Sequence, residues 1–174
     1  MKQPKIYLVL SFTGTILSRL VRIYTKDTYC HISIALDENL EEMYSFGRKN
    51  PYNPFTGGYV KENINKGTFK RFKNTIAQIY ALEVNENQYQ IIKEIIQKMN
   101  ENPHQYKFNV LGLFATVFHY KIERKDYFYC AEFVKYLITS AQINNNLPPL
   151  TKPMDFIKIA NLELKYQGLL KNYS

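Results

Sequence analysis

The chain has 174 residues, 45% of them apolar and 22% charged, with 23 Lys and Arg against 15 Asp and Glu for a formal net charge of +8. That length and composition predict one globular domain with a sizeable core and exclude a disordered chain. Two cysteines exclude a disulfide scaffold and a four-thiolate zinc site. No stretch runs the roughly 18 uncharged apolar residues of a membrane span, because Arg19 and Arg22 interrupt the best candidate, Ile6 to Leu20.

Residues 5–12 are β-branched and aromatic and predict a buried strand, broken at Thr13-Gly14. Lys2 and Lys5 before this run imitate an export signal, but no small-x-small site follows it. A cytoplasmic location with both thiols reduced is therefore expected. Residues 15–24 place Ile16, Leu17, Leu20, Val21 and Ile23 between arginines, the pattern of an amphipathic helix. Tyr29 to Leu36 reads as a second strand, Asp37-Glu38-Asn39 as a turn, and Glu42 to Phe46 as the return strand of a hairpin.

Residues 47–75 contain Asn50-Pro-Tyr-Asn-Pro-Phe-Thr-Gly-Gly58 and predict a long loop, or flap, of the kind that covers a substrate. Residues 75–84 alternate as a third strand, Asn85 caps a helix that ends at Asn102-Pro103, and residues 109–120 predict a second helix buried on most sides. Tyr127-Phe-Tyr129 leads into a helix that starts at Cys130, and the tail adds a short helix near Pro153 and a strand near Leu162 to Tyr166. The sum is a single α+β domain, an antiparallel sheet or partial barrel packed against helices.

His31 lies inside an apolar strand, where an imidazole needs a hydrogen-bond partner or a chemical role. Cys130 falls in the first turn of a helix, where backbone N–H groups and the helix dipole favour an anionic sulfur. A thiol on one element facing an imidazole on another is the requirement for Cys–His nucleophilic catalysis. Cys30 cannot serve, since neighbouring strand residues point to opposite faces. His119 at a helix end and His104 in a loop after Asn-Pro could each approach the thiol but have no strand behind them, and Glu132 is explained as a first-turn charge on the dipole. His31 is thus the preferred base. No histidine or cysteine pair has metal-ligand spacing, Gly57-Gly58 lacks a phosphate-cradling pattern, and no nucleic-acid motif accompanies the basic charge.

The strand Cys30-His-Ile-Ser-Ile34, the segment Tyr106-Lys-Phe-Asn-Val-Leu-Gly-Leu113 and the helix start Tyr129-Cys-Ala-Glu-Phe-Val134 together resemble the circularly permuted papain-like hydrolases. These are the YiiX-like bacterial proteins and, more distantly, the lecithin:retinol acyltransferase group and the NlpC-type cell-wall peptidases. The histidine strand precedes the cysteine helix, which is the order of the permuted branch.

The resemblance implies a papain-like fold and a cofactor-free cysteine hydrolase or acyltransferase. Cys130 would attack a carbonyl carbon of a peptide, cell-wall fragment or lipid-like substrate, and His31 would carry the proton. Peripheral contact with a membrane surface is compatible with it, and a catalytically inactive module binding an anionic polymer is the alternative. A polar residue on the next strand orients the imidazole in such proteins, often a Glu or His. A three-residue turn pairs Leu36 with Leu40 and so His31 with Ser45, which makes Ser45 the expected third member and Glu42 the fallback in another register.

Overall fold

The computed structural model describes residues 3–50, 53–117, 120–122 and 124–173. Strand β1 (Lys5–Phe12) leads to helix α1 (Ile16–Thr25), which Thr15 caps through its hydroxyl and the Ser18 N–H. β2 (His31–Ala35) and β3 (Met43–Asn50) form a hairpin, followed by β4 (Asn53–Glu62) and the short helix α2 (Gly67–Arg71). β5 (Ile76–Glu83) precedes α3 (Glu86–Glu101), whose start is fixed by a reciprocal capping box between Asn85 and Gln88. The two-residue strands β6 (Lys107–Phe108) and β7 (Tyr127–Phe128) flank α4 (Val110–Val117). α5 (Cys130–Ser140), a 3-10 turn at Pro153–Lys158 and β8 (Leu162–Leu169) complete the chain. The fold class is α+β.

One eight-stranded sheet runs in the order β7-β6-β4-β3-β2-β1-β5-β8, antiparallel throughout except for the β6–β7 pair. Alternation along the strands divides the core in two. Ile6, Leu8, Leu10, Ile32, Ile34 and Phe46 join Ile92, Ile96 and Met99 of α3 and Phe133, Val134 and Leu137 of α5 in the larger core. Tyr7, Val9, Ala35, Met43, Ala77 and Ile79 form a smaller core with Phe69 of α2. With α3 and α5 packed on one face, every second residue of the central strands meets a helix and the residues between them face the smaller core.

Residues 47–75 are not a flap. They supply the end of β3, all of β4 and α2. The glycines read as loop signals provide room: a Cβ on Gly57 would lie 2.9 Å from Cβ of Phe108, and one on Gly58 would lie 3.2 Å from the carbonyl of Tyr106. They allow the β6 segment to lie close against β4. The helix expected over residues 109–120 and buried on most sides is α4 alone, with Val110 47% and Leu111 61% exposed. It springs from the end of the sheet instead of lying across its face. The expected hairpin turn is longer, because Ala35 pairs with Met43 and Ile34 with Tyr44.

Candidate active site

His31 is the first residue of β2, directly across β1 from Ser11. Its ring shares a carboxylate partner with Ser33, two residues further along the strand. Its Nε2 lies 3.0 and 3.1 Å from the two carboxylate oxygens of Glu62, the last residue of β4. The Ser33 hydroxyl donates a short hydrogen bond to the same carboxylate and sits 3.3 Å from Nε2. Gly47 of β3 borders this meeting. A Cβ there would make ordinary contact with both, 3.4 Å from Cε1 of His31 and 3.6 Å from Oε1 of Glu62.

Ser45 is not brought to the imidazole. The longer connection between β2 and β3 moves the register two residues from the expected pairing, and the Ser45 hydroxyl donates to the Ile32 carbonyl at 2.6 Å. Glu42, the fallback, accepts from Tyr44 Oη at 2.5 Å and pairs with Lys61, away from His31. Glu62 was missed because it fell inside the presumed flap. One signal in the sequence marks it: it is the single acidic residue between positions 43 and 82, in a stretch containing Arg48, Lys49, Lys61 and Lys66.

Cys130 is the first residue of α5 and is 6% exposed. A small polar network fixes the start of this helix. Glu132 Oε2 accepts from the Tyr129 N–H at 3.0 Å and from Asn109 Nδ2 at 3.3 Å. Asn109 also donates to the Ile122 carbonyl and accepts from the Gly112 N–H, and Tyr129 Oη donates to the Thr151 carbonyl at 3.1 Å. Glu132, read from the sequence as a first-turn charge on the dipole, is also a capping residue. The first intrahelical bond runs from Phe133 N–H to the Tyr129 carbonyl at 3.1 Å, so the N–H groups of Cys130 and Ala131 have no helical partner.

The Cys130 side chain lies close enough to His31 to raise its imidazole. Burial pushes the His31 imidazole down, but the Glu62 charge, the Cys130 side chain and the hydrogen bond to Glu62 outweigh it and hold the ring well above its ordinary 6.5. Burial opposes ionisation of Glu62 too, and the His31 charge with the bonds from His31 and Ser33 keeps its carboxyl below the ordinary value. A thiol, an imidazole and a carboxylate in series can pass the thiol proton to the ring and leave the sulfur as a nucleophile beside free backbone N–H groups.

Cys30 stands just before β2, its N–H bonded to the Ser11 carbonyl at 3.1 Å, and burial pushes its thiol up to about 11. Both cysteines are free. His104 is exposed in the connection after α3, and His119 lies outside the described residues. Among the described residues no cluster of three His, Cys, Asp or Glu side chains is placed to hold a metal ion, and no helix is long and apolar enough to cross a membrane. No family model, no curated protein and no solved structure matches this chain.

Proposed function

We propose that the protein is a thiol-dependent hydrolase or acyltransferase of the permuted papain-like kind, acting on an amide or ester bond. The observation that carries this reading is the Cys130–His31–Glu62 series, with the thiol at a helix start and the ring held by a carboxylate at 3.0 Å. His31 accepts the thiol proton as the sulfur bonds to the carbonyl carbon. The oxyanion that forms takes hydrogen bonds from backbone N–H groups at the start of α5. As the tetrahedral species collapses, the leaving amine or alcohol takes the proton from His31 and an acyl-thioester remains. Water, or the hydroxyl or amine of an acceptor, then gives its proton to His31 while attacking the thioester, and the thiol is restored.

Glu62 orients the ring through Nε2 and stabilises the imidazolium that forms in each half of the cycle. The alternative, an inactive binding module, rested on the lack of a charged group beside His31, and Glu62 takes that place. Two free thiols suit the reducing cytoplasm. Amide and ester substrates spanning peptides, cell-wall fragments and acyl lipids test the reading. Turnover by the wild type that Cys130→Ala and His31→Ala both lose supports it. Profiles of wild type and Cys130→Ala that coincide on every substrate would return the binding module to first place.

A further inference from the structure

Among the described residues, six of the nine exposed large apolar side chains lie in α1 or in and just after α4: Ile16, Ile23, Val110, Leu111, Tyr120 and Ile122. The topology puts both helices at one end of the sheet. β1 runs into α1 at the end where antiparallel β2 begins with His31. β3 runs toward that end and β4 away from it, so antiparallel β6 runs toward it again and delivers α4 there. Parallel β7 delivers Cys130 to the same end.

Both apolar groups carry positive charge. Ile16 is 81% and Ile23 69% exposed, and at seven residues apart they fall about 20° from one another around the helix. Arg19, Arg22 and Lys26 are exposed beside them, and α1 contains no acidic residue. Exposed Lys121, Arg124 and Lys125 follow α4 next to Tyr120 and Ile122 and outnumber the two acidic residues of that stretch, Glu123 and Asp126. Apolar side chains exposed on α1 and in and just after α4, each group beside Arg or Lys, match a bilayer interface, where rings and aliphatic chains enter the acyl boundary and cations meet anionic headgroups. A folded protein partner would ask for one continuous patch with a depleted charge at its centre.

We infer that α1 and the α4 region form a docking surface for an anionic lipid bilayer, at the end of the sheet that holds His31 and Cys130. The surface does not need the thiol, so the inference stands or falls separately from the proposed reaction.

Co-sedimentation of the full chain with vesicles of phosphatidylcholine alone, and of phosphatidylcholine with phosphatidylserine at about three to one, tests it. Binding is expected to the mixed vesicles and to weaken as salt rises. Arg19→Gln with Arg22→Gln is expected to cost about twenty-five-fold in affinity, at about fivefold per cation near an anionic surface. Ile16→Ser with Ile23→Ser is expected to cost at least about tenfold while the fold is kept, since both side chains are exposed. Cys130→Ala is expected to bind like the wild type. Equal binding to the two vesicle types overturns the inference, as do apolar variants that bind like the wild type. Self-association or nucleic-acid binding through these same residues, with no binding to vesicles, would assign the surface to another partner and overturn it too.

Discussion

Replacing Glu62 by Gln removes one charge and almost no volume, and its expected effects follow from distances already given. The carboxylate touches Nε2 of His31 at 3.0 and 3.1 Å, and the two side chains are 12% and 20% exposed. Two unit charges about 4 Å apart in surroundings of effective dielectric near 20 attract by about 4 kcal/mol. Desolvation of both groups offsets part of this, leaving about 1.5–3 kcal/mol for a hydrogen bond between charged groups. At about 1.4 kcal/mol per factor of ten, the ion pair of thiolate and imidazolium loses roughly tenfold to a hundredfold of its population when Glu62 no longer supports the ring. Iodoacetamide alkylation of Cys130 in E62Q is therefore expected to slow by that factor at mildly acidic pH, and the His31 imidazole to titrate lower by NMR. E62Q that alkylates at the wild-type rate across the acidic and neutral range, with an unchanged imidazole titration, would refute the role given to Glu62.

The same pair sets a pH window for stability. Glu62 ionises below its ordinary 4.5, so its contribution is complete above that value and is lost as the pH falls through the lowered native value. His31 stays protonated above its ordinary 6.5, so its contribution is complete below that value and is lost as the pH rises through the raised native value. The excess stability of wild type over E62Q is expected to peak between about pH 5 and 6.5 and to shrink on both sides, as read by urea unfolding. At Gly47, a Val would push methyl groups into the space beside His31 Cε1; G47V is expected to keep the fold and lose about a hundredfold in Cys130 reactivity, while G47A, whose Cβ makes an ordinary contact, loses little. A Cβ at Gly112 would fall on the Asn109 side chain. G112A is expected to cost about 1–3 kcal/mol, seen as a lower Tm, because Asn109 must leave Glu132 and Ile122. An unchanged melting curve would show that this network does not fix the start of α5.

Much of the fold was legible because strands β1 and β2, buried on both faces, read as short apolar runs, while helices α3 and α5 bury one face and carry its period in the sequence. Cys130 and His31 were legible for a related reason. A cysteine that opens an amphipathic helix and a histidine embedded in an apolar strand both depart from what packing alone would place there. The third residue was hidden by two local features. The Gly and Pro residues of 47–58 look like a loop, yet Gly57 and Gly58 serve a close approach of strands that is visible only once Tyr106 and Phe108 are in place. The register of β3 depends on the length of the connection from Leu36 to Glu42, where no two-residue turn signal sets the pairing. The exposed side of α4 was hidden too, because an apolar run has the same sequence whether a protein core or another medium covers it.

The relative reactivity of the two cysteines tests the central claim most directly. Burial holds the Cys30 thiol near 11, so about one molecule in ten thousand carries a Cys30 thiolate at neutral pH. Time-resolved iodoacetamide labelling with peptide-level mass analysis is expected to modify Cys130 far faster than Cys30, and His31→Ala is expected to slow Cys130 while leaving Cys30 unchanged. Equal, slow labelling of both thiols, unaffected by the loss of His31, would contradict the assignment of Cys130 as the nucleophile.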